Sequence, residues 1–70
     1  MSEGHVYKLI DVVGSSTQSY DDAVRCAVNE AKKTIKGLKW FEVTEFRGAV
    51  EGEQIVFQAT VRMGFRLESR

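Results

Sequence analysis

The last third of the chain alternates between two sets of residues, and this pattern limits the fold more than any other feature. The apolar set is Ile55, Phe57, Ala59, Val61, Met63, Phe65 and Leu67. The other, largely polar set is Val56, Gln58, Thr60, Arg62, Gly64 and Arg66. Because successive side chains of a strand point to opposite faces, the segment predicts one long strand with one buried face.

An amphipathic helix is predicted over residues 20–36. Its apolar residues recur at intervals of three and four, at Tyr20, Ala23, Val24, Ala27, Val28, Ala31 and Ile35. Ser19 is a suitable N-cap, and Asp21 and Asp22 would lie in the first turn, where the helix dipole favours anions. Lysines fill the last turns, and Gly37 follows as the C′ glycine that ends the helix.

Two further segments have the composition of strands. Residues 6–13 are rich in β-branched residues and precede a loop signal at 14–19. In residues 38–51 the apolar side shifts from odd to even positions, and a bulge near Thr44–Glu45 would produce that shift by inserting one residue. Gly52 marks the hairpin turn that leads into the last strand.

These elements predict one α+β domain, residues 1–70, with the order β-α-β-β. A strand-helix-strand crossover leaves the first two strands pointing the same way, and the third strand is antiparallel to both. The predicted fold is therefore a three-stranded antiparallel sheet in the order 2-3-1. The one helix covers one face of this sheet, and the other face is left bare.

The bare face would carry side chains suited to meeting a ligand or a partner, namely Trp40, Arg47, Gln58, Thr60, Arg62 and Arg66. Trp40 could stack on a flat ligand, or it could pack in a core or interface. Gln58 could read a heterocycle edge, since its amide carries donors and an acceptor, or it could be solvated.

The two arginines Arg47 and Arg66 have a similar pair of interpretations. They could clamp a phosphate in bidentate fashion, or they could form surface ion pairs with Glu42, Glu45 or Glu68. A hairpin turn at Gly52 predicts that Arg47 lies opposite Gln58 and Trp40 opposite Arg66. Trp40 and Gln58 would then lie roughly 23 Å apart along the hairpin, so a ring held by both requires two subunits.

The composition weighs against several classes of function. Ten basic and ten acidic residues cancel, whereas a nucleic-acid binder usually has a basic excess. One cysteine and one histidine allow neither an intrachain disulfide nor a closed zinc site. Cys26 and His5 lack the partners of a catalytic thiol or base, and the glycine at position 14 does not begin a P-loop. We therefore predict no catalytic residues, no metal site and no enzyme.

The length and the N-terminal residues lead to two further expectations. A chain of 70 residues buries only about 60% of its unfolded surface, so we expect it to be stabilised by oligomerisation. The sequence has no long apolar run and no basic, apolar leader at residues 1–5, so it predicts neither a membrane span nor a signal peptide. A free thiol then fits a cytoplasmic location.

In their order and spacing, several segments of the chain resemble the dodecin family, from about residue 5 to residue 68. They are Val13-Gly14-Ser15-Ser16, Asp22-Ala23, Ala31-Lys32-Lys33-Thr34, Leu38-Lys39-Trp40-Phe41-Glu42-Val43, Arg47-Gly48, Phe57-Gln58 and Val61-Arg62-Met63-Gly64-Phe65-Arg66-Leu67-Glu68. The resemblance implies a β-α-β-β subunit of a hollow homododecamer that binds flavin, in bacterial members typically FMN. It also implies storage, sequestration and quenching of the bound flavin.

The resemblance further implies roles for individual residues. The flavin rings would stack between symmetry-related copies of Trp40, and Gln58 would bond the ring edge. Arg47 and Arg66 would lie near the ribityl phosphate or in subunit contacts. Some bacterial members carry coenzyme A near the three-fold contacts. The matching positions are Tyr7, Lys8, Lys33 and Lys36, and Glu30 stands where those members can have a basic residue.

Two other functions also remain open. The bare face could pack on a partner protein, with Trp40 as the energetic centre of that interface. Alternatively, the chain could be an enzyme that uses a bound flavin for redox turnover. The flavin that is bound could be FMN or riboflavin.

Overall fold

The computed structural model describes residues 4–67 and confirms the order β-α-β-β. Its elements are β1 (Tyr7–Ser16), α1 (Tyr20–Thr34), β2 (Leu38–Glu51) and β3 (Gln54–Arg66). Glu68, which the sequence suggested as a partner for an arginine, lies outside the described residues.

The three strands form one antiparallel sheet with β3 in the centre, in the order β1-β3-β2. This is the order 2-3-1 that the alternating pattern of β3 predicts, because the strand with the clearest alternation takes the central place. The helix packs on one face of the sheet, mainly against β1 and β3. We call the sheet face turned away from α1 the open face; it carries the odd-numbered residues of β1 and the even-numbered residues of β3.

The helix begins where its cap predicts and ends two residues early. The Ser19 hydroxyl accepts a hydrogen bond from the backbone N–H of Asp22 at 3.0 Å. At the other end Ile35 is already extended, although its N–H still donates to the Ala31 carbonyl at 2.9 Å. Gly37 adopts a φ of 77°, and its carbonyl accepts the Arg66 N–H at 3.0 Å. Gly37 therefore turns the chain directly into the sheet rather than capping the helix.

Residues 14–16 belong to β1 and not to the loop that the sequence predicted. Gly14 pairs with Ala59 and is buried beneath the helix. A Cβ at Gly14 would overlap the carbonyl oxygen of Ala23 and would lie 2.9 Å from the Cβ of Ala27. The glycine is therefore needed for the close approach of strand and helix backbones, which is a common reason for glycine within a strand.

The bulge is confirmed, but part of the predicted register is wrong. The register of β2 against β3 shifts between Val43 and Glu45, and the hydroxyl of the intervening Thr44 donates to the Thr60 carbonyl at 3.3 Å. The unpaired Thr44 moves every earlier β2 residue one β3 position closer to the turn. Trp40 therefore lies opposite Gly64 and not Arg66, and a second irregularity separates Leu38 from Trp40.

The core under the helix is built mainly from small side chains. Its buried residues are Ala23, Ala27, Ala31, Ala59, Val61 and Met63. Two residues of the predicted apolar set of β3, Ile55 and Leu67, are exposed. Ile55 is exposed because the hairpin extends beyond the last pair of β1, Ser16 with Phe57. This overhang gives the chain extents of 59 × 20 × 14 Å.

Candidate functional site

The strand register aligns the open-face residues in rows across the three strands. From one end of the sheet, these rows are Leu9–Gly64–Trp40, Asp11–Arg62–Glu42, Val13–Thr60–Glu45 and Ser15–Gln58–Arg47. Of the sequence-predicted site residues, Trp40 thus lies in the first row and the Arg47–Gln58 pair in the last. Two groups of candidate ligand-binding residues therefore share one face but not one place.

Trp40 lies over a glycine and beside a tyrosine. Atoms Cε2, Cζ2 and Cη2 of its indole occupy the space that a Cβ on Gly64 would need. The Tyr7 ring meets the indole edge-on, with ring centroids 5.2 Å apart and an interplanar angle of 63°. The tryptophan is nevertheless 40% exposed. A rigid aromatic surface is therefore supported from below and at one side, and the rest is accessible.

Gln58 and Arg47 form a hydrogen-bonded pair, as their predicted juxtaposition suggests. The Arg47 Nε donates to the Gln58 Oε1 at 2.8 Å, and the Arg47 Nη1 lies 3.6 Å from the Glu45 carboxylate. The arginine thus satisfies the amide oxygen and leaves the amide nitrogen of Gln58 to donate elsewhere. The expected ion pair of Arg47 with Glu45 is also present.

Arg66 lies at the opposite end of the sheet from Arg47. It is the last residue of β3 and pairs with Tyr7, two positions beyond Gly64. Its backbone N–H is held by Gly37, whereas its side chain is exposed. The two arginines therefore belong to different groups, and a single chain does not bring them to the same phosphate.

An ion pair that the sequence analysis missed lies between the two groups. Arg62 donates two hydrogen bonds to the Asp11 carboxylate, from Nε to Oδ1 at 3.0 Å and from Nη2 to Oδ2 at 3.3 Å. The hydrogen bond from Arg62 lowers the pKa of Asp11 below its ordinary value, and the same contact raises the pKa of Arg62. The register of β1 against β3 was the information needed to find Asp11, since it sets Asp11 directly opposite Arg62.

The residues implied for coenzyme A come from β1, from α1 and from the segment that follows the helix. Tyr7 packs on Trp40 at the open face, and the adjacent Lys8 alternates to the other face of β1. Lys33 pairs with Glu30 on the exposed side of the helix, with 3.3 Å between Nζ and Oε1.

A groove of the chain adjoins Glu30, the helix residue that pairs with Lys33. It has a volume of about 600 Å³ between β1 and α1 and is lined by Val12, Cys26, Ala31, Ile35 and others. The Cys26 thiol is exposed and lies 4.0 Å from an Asp22 carboxylate oxygen. Across residues 4–67 no group of three or more His, Cys, Asp or Glu side chains could hold a metal ion. The one helix within those residues does not meet the length and hydropathy that a transmembrane segment requires.

The fold and the open face together define a small α+β binding module, whose aromatic surface is carried by a sheet rather than enclosed in a cleft. A sequence model of the Dodecin family matches residues 6–68. The chain is 43% identical over 67 residues to the dodecin of Thermus thermophilus, covering 93% of this chain and 96% of that protein.

Solved structures agree with the sequence comparison. The dodecin from Streptomyces coelicolor superposes with a TM-score of 0.88 at 43% identity, covering 99% of this chain and 100% of the other. The dodecin from Streptomyces davaonensis gives a TM-score of 0.87 at 41% identity, covering 96% and 100%. The chain belongs to the dodecin family, as the sequence resemblance predicts. This membership supports, in general terms, a small oligomeric flavin-binding protein rather than an enzyme.

Proposed function

We propose that this protein binds FMN on its open face, stores it in a homododecamer and quenches its excited state. The observation that carries this proposal is the Trp40 indole, which is held against the sheet and yet remains 40% exposed. An isoalloxazine is a planar, electron-poor ring system, and a supported indole offers it a stacking surface. Electron transfer from the indole to the excited flavin would then suppress fluorescence and photochemistry.

The Arg47–Gln58 pair supports a site for the polar edge of the flavin. With its oxygen engaged by Arg47 at 2.8 Å, the Gln58 amide is oriented to donate from its nitrogen. The carbonyl oxygens of an isoalloxazine can accept that hydrogen bond. In this proposal the Nε of Arg47 holds Gln58 in place. Only the Nη atoms of Arg47 are then available to bind the phosphate. Arg66 is proposed as the second cofactor-binding arginine, at the tryptophan end.

The distance between the two groups supports a pocket shared by two subunits. Trp40 lies opposite Gly64, which is six residues from Gln58 along β3, so the groups are roughly 20 Å apart. An isoalloxazine is much shorter than this distance. A two-fold axis that brings the Trp40 of one subunit near the Gln58 of its neighbour places both groups at one ring.

The exposed apolar surface supports assembly. The buried core consists largely of alanine and valine, whereas Phe46, Val50 and Ile55 are more than half exposed in the single chain. The apolar groove between β1 and α1 is a further surface that a neighbouring subunit would cover. Family membership supports an oligomer, and we propose the homododecamer. The unpaired thiol of Cys26 supports a reducing compartment such as the cytoplasm.

The proposal is tested by titrating the apo-protein with FMN and following the flavin fluorescence. We expect strong quenching and a stoichiometric complex for the natural chain. Trp40→Ala should raise the Kd about 5- to 150-fold, since aromatic stacking on a base contributes about 1–3 kcal/mol, and should restore much of the fluorescence. Trp40→Phe is the matched control, because it keeps a ring and removes the better electron donor. Unchanged affinity and quenching in Trp40→Ala would contradict the proposal.

Two measurements on the natural protein separate the alternatives. Light scattering should give a mass of about twelve chains of 7.9 kDa. A stable 7.9 kDa species as the only form would contradict the dodecamer. Sustained turnover of NADH or NADPH by the FMN complex would favour a flavin enzyme over a store. Failure to bind any flavin would favour a surface for a partner protein.

A further inference from the structure

We propose that Gly64 and Tyr7 are positioning residues for Trp40, which fix the plane of its indole and thereby set the affinity of the flavin site. Only the part of this inference that concerns the affinity for flavin rests on the proposed function. The placement of the indole is a property of the apo-protein, and the effect on FMN follows from it.

Gly64 determines how closely the indole can approach the sheet. The residue is buried and lies directly opposite Trp40 in the β2–β3 ladder. A Cβ on Gly64 would overlap Cζ2 and Cε2 of Trp40 and would come within 2.6 Å of Cη2. The backbone conformation does not require a glycine, because the positive φ values of the described chain occur at Gly37 and Gly52. Gly64 is therefore explained by the space that the indole occupies.

Tyr7 limits rotation of the indole from one side. Its ring meets Trp40 edge-on, at a centroid distance of 5.2 Å and an angle of 63°. This is a favourable geometry, because the positive edge of one ring faces the negative face of the other. The start of β1 is itself held in place, since the Leu67 N–H donates to the Val6 carbonyl at 2.9 Å, next to Tyr7.

With both contacts in place Trp40 is still 40% exposed, so part of the indole remains available to a ligand. The Gly64 backbone lies against one side of the indole, and the Tyr7 ring packs on it at an angle of 63°. Stacking on a planar ring requires a parallel surface, and its attraction falls steeply with a small gap or tilt. A displaced indole would therefore lose affinity for FMN even though Trp40 itself is intact.

The test uses the intrinsic fluorescence of the assembled apo-protein, which reports on Trp40 alone because the chain has a single tryptophan. Gly64→Ala should red-shift the emission, increase quenching by acrylamide, and raise the Kd for FMN at least tenfold. Tyr7→Ala should lower the fluorescence anisotropy and raise the Kd about three- to tenfold. Tyr7→Phe keeps the ring and should stay within about twofold of the natural chain.

Gly48→Ala is the matched control for replacing a strand glycine. A Cβ there meets no atom closer than 3.7 Å, so emission and Kd should not change. An assembled Gly64→Ala protein with natural emission, acrylamide quenching and FMN affinity would overturn the proposal. If Gly64→Ala does not assemble, Tyr7→Ala provides the deciding measurement. An anisotropy equal to that of the natural chain would overturn the proposal, and a lowered anisotropy would support it. If the natural chain binds no FMN, the proposed function fails, but the emission data still decide the placement of the indole.

Discussion

The two faces of the sheet differ in the size and the exposure of their side chains. The face under α1 is closed by small residues, and at Gly14 and Ala23 the strand and helix backbones nearly touch. The open face carries the large aromatic and the charged side chains, and its largest apolar residue, Trp40, remains 40% exposed. The covered face holds one subunit together, whereas the open face is supplied with groups that reach beyond it.

This difference explains how so short a chain can combine folding with binding. Close backbone approach makes a dense core without large side chains, since dispersion attraction depends on separation. Such a core buries little apolar area per residue, so its stability is limited. The larger side chains are then available for contacts with ligand and neighbouring subunits. Four experiments test this contrast.

The largest effect is expected where the covered face is closest. Gly14→Val should prevent assembly of the folded protein, because even a Cβ would overlap the Ala23 carbonyl oxygen and the helix would have to move away. Far-UV circular dichroism and sedimentation would detect the loss. Ser15→Val is the matched control, since Ser15 is exposed on the open face of the same strand. A folded Gly14→Val oligomer would show that the approach is not required.

Removing the largest buried side chain should have the next effect. Met63 is fully buried, and Met63→Ala should lower the free energy of unfolding by about 2–5 kcal/mol through lost burial and a residual cavity. Met63→Leu conserves volume and should cost less than about 1.5 kcal/mol. Urea denaturation at one fixed protomer concentration provides the comparison. If both variants lowered the free energy of unfolding by the same small amount, the core would be able to repack around the lost volume.

On the open face, mixing two defective chains should restore part of the binding. Trp40→Ala and Gln58→Ala oligomers should each bind FMN weakly. If the pocket is shared between subunits, co-refolding them in equal amounts should give natural affinity at about a quarter of the sites, by random assortment. If both residues of one site come from the same chain, the mixture would contain no intact site. FMN titration of the co-refolded protein distinguishes the two outcomes.

The smallest effect is expected at the exposed Asp11–Arg62 pair. Because the native pKa of Asp11 is lowered, its stabilising contribution is present above the ordinary aspartate pKa of about 4. It is lost as the pH falls through the lowered native value. Asp11→Asn should therefore reduce the urea midpoint slightly at pH 7, and this difference should vanish in acid and shrink in high salt. A difference that persists unchanged in acid would assign the effect to packing.

The fold was largely predictable from local patterns, and the errors in that prediction have physical causes. Alternation in β3 and three-four spacing in α1 depend only on neighbouring residues, so they predicted the elements and the sheet order. Gly14 looked like a loop residue because its need for space arises from the helix, which is remote in sequence. The extra residue was predicted in the correct strand, but it shifts the earlier β2 residues toward the turn and not away from it, so Trp40 lies opposite Gly64 and not Arg66.

The candidate site was predictable in its residue types but not in its contacts. Trp40, Gln58, Arg47 and Arg66 were identified from their chemistry and from the family resemblance, and their roles remain predictions. The juxtaposition of Arg47 and Gln58 followed from the turn at Gly52 and is present. The support of Trp40 by Tyr7 and Gly64 could not be predicted, because it joins three strands whose mutual register the sequence does not state.

The overhanging hairpin gives this subunit an elongated shape. A compact chain of 70 residues would have a radius of gyration of roughly 11 Å, whereas this one has 14.9 Å. The last pairs of the hairpin, Ala49–Val56, Val50–Ile55 and Glu51–Gln54, extend past the end of β1. A change in the length of this free hairpin end would not disturb the part of the sheet that packs on the helix. In the proposed homododecamer, insertions at Gly52 would therefore change how neighbouring subunits meet while sparing the fold of each subunit.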